Sequence, residues 1–206
     1  MILIVVGLVI AYLLGSIPSA IWIGKSFFNK DVREHGSGNA GATNTFRVLG
    51  WKPGVIVFII DTIKGFFAVY IMGLLSTSMP EYTTLVSIVA GLMAVIGHIY
   101  PVFAQFRGGK GVATMLGIIL GIHPAAALLS LAVFAVTFLI TQYVSAGSMM
   151  AALSFPIFVF FVFHPDDVYL RIFSLLLATI LFYSHRTNIS RLIKGTESKI
   201  RLYGKK

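Results

Sequence analysis

Apolar residues run along this chain in long blocks, separated by short segments where Gly, Lys, Arg, Ser, Thr and Asn collect. The blocks lack the period-two alternation of a half-buried strand, and most approach the roughly 20 residues that cross a hydrocarbon core. Only helices or closed barrels satisfy their backbone polar groups in lipid. The pattern therefore predicts membrane-spanning helices over 2–24, 53–75, 83–103, 111–122, 124–140, 147–163 and 168–184. The expected fold class is all-α, a seven-transmembrane-helix bundle forming a single membrane-embedded domain over 1–206. The stretch 111–140 fits least well: it is long for one span, short for two, and His123-Pro124 interrupts it.

Composition supports this picture. Apolar residues make up 57% of the 206 and charged residues 11%, with a mean hydropathy of +0.92. Almost nothing remains outside the bilayer from which to build a soluble domain. The N-terminus is apolar from Met1 with no basic residue ahead of the run, which reads as a first span rather than a cleaved signal. Cysteine is absent, which removes disulfides and thiolate metal sites. His98 and His123 lack ligand spacing to other donors, so no metal and no cofactor is expected.

The net charge of +9 reads first as topology rather than as a nucleic-acid signal. With seven spans and the N-terminus outside, fourteen of the sixteen Lys and Arg fall on one side, including the whole basic tail from Arg186 to Lys206. Arg171 falls on the other side with Glu81, Asp166 and Asp167, and Lys64 lies within a span. Counting 111–140 as one helix would put the tail outside, against the positive-inside bias. Seven crossings and a cytoplasmic C-terminus follow. A helix over 111–122 covers only about 18 Å at about 1.5 Å per residue. The loop before it then either sits recessed below the headgroups or is accommodated by local thinning.

All the informative polar stretches share the cytoplasmic side, in loops 25–52, 104–114 and 141–147 and the tail 185–206. Such loops, distant in sequence, can meet at one end of a helical bundle. The first holds Ser37, Asn39, Thr43, Asn44 and Arg47 among glycines, the second is "RGGKGVAT", and the last begins "HRTNISR". Gly36, Gly38 and Gly41 have dinucleotide-fingerprint spacing, but that motif requires a βαβ unit that this chain cannot supply. "GGKG" is not a Walker A loop, since Ala104 stands where its first Gly belongs and Gly111 follows Lys110. Glycines let main-chain N–H groups approach an anion, Arg47 can fork onto phosphate oxygens, and Lys110 adds a compact charge. The chemistry suits phosphorylated substrates beside lipid.

Plainer roles stand beside these: turns for the glycines, topology anchors for the basic residues, a helix N-cap over 189–194 for Asn188. The basic, partly apolar tail helix fits an anionic headgroup layer. Asp61 and Lys64, three apart within a span, lie on one helix face. There a centred charge costs about 2.5–3.5 kcal/mol, and the two pair either to stabilise the bundle or to support the site.

"GSGNAGATN" with Arg47 after it, "GHIYPVFAQFRGGKGVAT" at 97–114 and "HRTNISRLIKGTESKI" at 185–200 together resemble the bacterial acyl-phosphate glycerol-3-phosphate acyltransferase family, the PlsY type. The resemblance runs from "GSIPSA" at 15–20 to Ile200, with three motifs in order and no departure in them. It implies a seven-helix protein of the bacterial cytoplasmic (inner) membrane with its active site facing the cytoplasm. It also implies transfer of a fatty acyl group from acyl phosphate to the 1-position of sn-glycerol 3-phosphate, giving lysophosphatidic acid and inorganic phosphate. By the same resemblance, Ser37 and Arg47 match the family's essential serine and arginine. Gly108, Gly109, Lys110 and Gly111 match its glycerol-phosphate loop. His185 and Asn188 match its third motif, Glu197 is structural, and Thr43 and Ser145 are partners of the acyl-phosphate headgroup.

An acyl phosphate is already activated, so direct attack by the glycerol hydroxyl requires no covalent intermediate. None of the five histidines has an Asp five positions on, so the His-x4-Asp pair of most glycerolipid acyltransferases is missing. Ser37 and Asn188 are candidate donors to the developing oxyanion, and either His185 or a substrate phosphate oxygen accepts the proton. The expected partners are these two substrates and membrane lipids, without nucleic acid, and the oligomeric state is open. The alternative is a transporter for phosphorylated anions, which would show polar groups through the spans. A seven-helix photoreceptor would need a lysine in the last span, and 168–184 has none.

Overall fold

The computed structural model describes residues 2–200, so Met1 and the basic residues Arg201, Lys205 and Lys206 lie outside the described residues. Among those described, every regular element is helical. The chain divides into two compact units, 1–123 and 124–206.

The first unit opens with α1 (Ile2–Gly15) and α2 (Ser19–Phe28), whose axes differ by 40°. The sequence predicts one helix over 2–24. The break arises at Pro18, which lacks an N–H and pushes Ile17 out of helical geometry. A short turn over Val32–Glu34 follows, capped by the Asp31 side chain, which accepts the Arg33 N–H. Next comes α3 (Ala42–Leu49), a helix where the sequence reads as loop, then Gly50 and the 25-residue α4 (Trp51–Leu75) with Pro53 in its first turn. The chain returns as α5 (Thr83–Ile99), turns through Val102–Ala104, and ends the unit with α6 (Val112–Ile122). The last helix predicted in this unit, 111–122, therefore keeps its bounds almost unchanged, stopped by the proline at 124.

The hub is α4, which packs against α1, α2, α3, α5 and α6. Its crossing with α6 is close because Gly65 faces the Thr114 carbonyl and Gly117 faces the Thr62 carbonyl, where a Cβ on either glycine would overlap backbone. Small residues that let backbones touch are a usual device for packing helices in lipid. Of the hub's own side chains, Val57, Ala68, Val69 and Met72 are buried, while Ile59, Ile63, Phe67 and Tyr70 face outward.

The second unit contains α7 (Pro124–Thr141), α8 (Val144–Phe158), α9 (Val168–Ser184) and α10 (Arg186–Ile193). Helix α8 packs on both α7 and α9. It widens into a π-helical turn over Val159–Phe163 just after Pro156, whose missing N–H breaks the i→i−4 ladder. Asp167 caps α9 by accepting the N–H groups of Tyr169 and Leu170. Helix α10 leaves α9 at 60°. Residues 194–200 then fold back, the Ile200 N–H donating to the Gln142 carbonyl at 3.0 Å and Lys199 standing over the Tyr143 ring.

Four helical stretches are long and apolar enough to cross a bilayer, 51–75, 80–104, 124–141 and 144–163, and six if each bent pair counts as one span. Helix α6, with 11 residues, falls short of that length.

Candidate active site

Ser37 sits exposed on a loop that the following helix holds in place. The device is Asn44, in the first turn of α3 and 1% exposed. Its Oδ1 accepts the Ser37 N–H at 2.8 Å, and its Nδ2 donates to the Val32 carbonyl at 2.7 Å and the His35 carbonyl at 3.0 Å. One acceptor facing a main-chain donor and one donor facing two carbonyls fixes which way the amide points. Gly36 has φ +61, and a Cβ there would overlap Asn44 Oδ1, so the loop is glycine-dependent at this position. Arg47 lies one helical turn beyond Asn44 on α3, so one short helix carries both the guanidinium and the staple of the Ser37 loop. Thr43 occupies the same helix's first turn and Asn39 the loop before it, and both are half-buried. In the sequence Asn44 is one more polar residue of that loop. Its signal is its position: three residues before Arg47 and seven after Ser37.

A second brace lies upstream. Arg33 forks onto Asp31, with Nη2 at 2.7 Å, and its Nη1 donates to the Ala104 carbonyl at 3.1 Å. This ties the first motif loop to the turn that precedes the second. The Arg33 hydrogen bonds, aided by Lys25, hold the Asp31 carboxyl well below the usual carboxylate range against the opposing effect of burial.

The second motif loop is built differently from the expected anion nest. The Gly108 N–H donates to the Ile99 carbonyl and the Gly109 N–H to the His98 carbonyl, both at 3.1 Å. These two donors dock the loop on the end of α5 instead of pointing at a ligand. A Cβ on Gly108 would overlap the His98 carbonyl, and one on Gly109 would overlap His98 Nε2 and crowd the Ala40 carbonyl. The glycines here serve close seating. Lys110 follows directly, and Gly111, with φ +78, turns the chain into α6. That helix start offers main-chain N–H groups and the positive end of a dipole. Thus Gly108, Gly109, Lys110 and Gly111 stand beside the 36–41 loop through the Ala40–Gly109 contact.

Asp61 and Lys64 are both buried in α4 beneath these loops, 2.9 Å apart. Ser19 donates to Asp61 Oδ1 at 2.7 Å and Lys64 to the Ile17 carbonyl at 3.0 Å.

In the second unit the third motif is centred on Glu197, which is buried. Its Oε1 accepts from Ser145 Oγ at 2.9 Å and Asn188 Nδ2 at 2.6 Å, and its Oε2 from Arg191 Nε at 2.6 Å. Burial opposes ionisation of Glu197, and the donors from Arg191, Asn188 and Ser145 outweigh it, so its carboxyl lies below the ordinary value. Asn188 falls inside α10 rather than at its N-cap, and its amide is oriented by the carboxylate. Ser145, expected as a headgroup partner, donates its hydroxyl hydrogen bond to Glu197 here. His185 is buried at the α9–α10 bend, and its Nδ1 is 2.9 Å from the Leu181 carbonyl. A carbonyl only accepts, so Nδ1 donates a proton in this contact. Among the described residues no cluster of His, Asp and Glu suits a metal ion.

Residues 5–195 match the family model described as glycerol-3-phosphate acyltransferase. The chain belongs to that family. It is 46% identical over 194 residues to a glycerol-3-phosphate acyltransferase of Fusobacterium nucleatum subsp. nucleatum, covering 94% of this chain and 96% of that protein. To a glycerol-3-phosphate acyltransferase of Geobacillus kaustophilus it is 48% identical over 199 residues, covering 97% of each. The crystal structure of PlsY, an integral membrane glycerol 3-phosphate acyltransferase, in its glycerol 3-phosphate form superposes with a TM-score of 0.87 at 39% identity, covering 96% of both chains. The lysophosphatidic acid form of PlsY gives 0.83 at 38% identity, covering 96% of this chain and 95% of that one. This acyltransferase therefore has the PlsY integral-membrane fold, and the family resemblance drawn from the three motifs is borne out.

Proposed function

We propose that this acyltransferase moves a fatty acyl group from acyl phosphate to the 1-hydroxyl of sn-glycerol 3-phosphate, releasing lysophosphatidic acid and inorganic phosphate. The observation that carries the substrate assignment is the likeness over nearly the whole chain to a structure in its glycerol 3-phosphate form and to another in its lysophosphatidic acid form. The protein crosses a bacterial cytoplasmic membrane seven times as a single catalytic domain, its N-terminus outside and its motif loops on the cytoplasmic side. Fourteen of sixteen basic residues on one side support that orientation. Helix α6 serves as a short crossing, consistent with its buried Ala113, Thr114, Met115 and Ile118.

In this reading the glycerol hydroxyl attacks the acyl carbonyl, the bond to the phosphate oxygen breaks, and phosphate leaves with the electron pair. Arg47 and Lys110 offset repulsion between two phosphorylated substrates. At an effective dielectric of about 20, one charge pair at 4 Å is worth about 4 kcal/mol. Ser37, presented by the Asn44-stapled loop, donates to the developing oxyanion, and Asn188 does so with its amide aimed by Glu197. Either His185 or a substrate phosphate oxygen accepts the proton. Asn39 and Thr43 complete the substrate contacts at the start of α3. Orientation of the two substrates supplies much of the rate, because the donor is already activated.

The test is product formation by purified protein in detergent or lipidic mesophase, with labelled glycerol 3-phosphate and palmitoyl phosphate, palmitoyl-CoA or palmitoyl-carrier protein in parallel. Lysophosphatidic acid is expected from palmitoyl phosphate alone and is lost in Ser37→Ala. Equal product from palmitoyl-CoA would overturn the donor assignment, and full activity in Ser37→Ala would remove that residue from the chemistry.

A further inference from the structure

A small opening of about 10 Å³, room for about one water molecule, lies between the two motif loops of the first unit, lined among others by Ser19, Ala40, Asp61, Lys64, His98 and Gly108. Its floor is unusual for a membrane helix: a carboxylate 1% exposed, an ammonium 3% exposed and an imidazole 6% exposed, from α4 and α5. A buried ion pair adds little net stability over apolar residues of the same volume, because desolvation offsets the attraction. What such a pair supplies is a fixed geometry.

The contacts form one chain. Lys64 donates to the Ile17 carbonyl and Asp61 accepts a hydrogen bond from the Ser19 hydroxyl, so the pair clamps α4 onto the α1–α2 break. Asp61 Oδ1 also faces His98 Nδ1 at 3.8 Å, a ring nitrogen with no hydrogen-bond partner of its own. The same histidine carries the second motif loop. Its carbonyl accepts the Gly109 N–H, the next carbonyl accepts the Gly108 N–H, and both glycines lie too close to it for a Cβ. Lys110 is the next residue. Any shift of the His98 ring or of the α5 end is therefore passed directly to Gly108, Gly109 and Lys110.

We propose that His98, backed by the Asp61–Lys64 pair, is the positioning residue for the glycerol-phosphate loop, setting affinity for glycerol 3-phosphate rather than turnover. The proposal rests on reading Gly108–Gly111 as the loop that holds that substrate. Displacements of about 1 Å in a positioning element cost up to about 100-fold, and a loss confined to substrate binding appears in KM with kcat preserved.

The experiment measures kcat and both KM values in wild type, Gly109→Ala, His98→Ala, His98→Gln and the double variant Asp61→Asn/Lys64→Met, with thermal midpoints for each. Gly109→Ala and both His98 variants are expected to raise KM for glycerol 3-phosphate about tenfold or more, with kcat within about threefold and KM for acyl phosphate within about twofold. Asp61→Asn/Lys64→Met is the decisive arm. It removes the ion pair without stranding a charge, so its midpoint stays near wild type while KM for glycerol 3-phosphate rises as in His98→Ala. A stable double variant and folded His98 variants with unchanged KM, beside a raised KM in Gly109→Ala, would overturn the positioning role and leave the loop's assignment standing. An unchanged KM in Gly109→Ala itself would overturn the loop's assignment and this proposal with it.

Discussion

Consider removing the amide of Asn44 while leaving Ser37 and Arg47 untouched. Asn44→Ala deletes three hydrogen bonds at once: the acceptor for the Ser37 N–H and the donors to the Val32 and His35 carbonyls. The Val32 bond is buried, so its carbonyl loses a partner where water does not replace it. That single loss costs about 1–3 kcal/mol, and the two bonds nearer solvent contribute about 0.5–1.5 kcal/mol each. A total near 3 kcal/mol, set against 1.36 kcal/mol per tenfold in rate, gives a fall in kcat/KM of about 100-fold if the loop must be ordered in the transition state. Asn44→Asp separates the contributions, because a carboxylate still accepts from Ser37 but turns oxygens toward both carbonyls, so it is expected to be as impaired as Asn44→Ala. Gly36→Ala attacks the same staple from the other side, through φ +61 and the overlap with Asn44 Oδ1. The assay is lysophosphatidic acid formation at saturating acyl phosphate by folded, purified variants. A kcat/KM within about threefold of wild type in Asn44→Ala would refute the inference that this residue holds the catalytic loop.

Two further outcomes follow from the buried charges. Asp61→Asn alone strands the Lys64 ammonium in the helix core, and breaking a buried pair this way costs about 3–5 kcal/mol, read as a lowered thermal midpoint that Asp61→Asn/Lys64→Met largely recovers. Glu197 gives a pH signature: its folded carboxyl is depressed below the ordinary value of 4.5, so its contribution is fully present above that value and is lost as pH falls through the folded value. Thermal midpoints of wild type should therefore drop on acidification below about pH 4.5 more steeply than those of Glu197→Gln, and parallel slopes would show that Glu197 is not held ionised by Arg191, Asn188 and Ser145.

Which parts of this architecture were legible in the sequence depends on whether the cause is local. Hydrophobic runs marked the helices of both units because lipid forces backbone satisfaction within each segment, and Pro124 marked the end of α6 for the same local reason. Pro18 carried the information for the α1–α2 break, yet its effect is hidden in an apolar run whose composition does not change across it. Helix α3 was hidden for the opposite reason. Its eight residues are too few for a periodic signal to outweigh Gly, Thr and Asn, and its stability comes from packing on α4 and from the Asn44 staple. The motif residues were found by their chemistry, but their engagement was not. Gly108 and Gly109 look like phosphate-binding glycines and instead turn their N–H groups onto α5. The free-looking hydroxyl of Ser145 is spent on a carboxylate 52 residues away.

His98 shows most clearly why a residue's neighbours matter more than its type. In the sequence it is a lone histidine near the end of an apolar helix, without a partner at ligand spacing. Its importance comes from two contacts outside its own helix, Asp61 on one side and Gly109 on the other, neither of which leaves a mark on the local pattern. A membrane enzyme that acts on a charged glycerol phosphate must hold its glycine-rich motif loop in place without a soluble scaffold behind it. In this chain the scaffold is the buried Ser19–Asp61–Lys64 set. The charge that hydropathy alone would count as a defect of α4 becomes the fixed point on which the His98 ring, and through it the second motif, is seated.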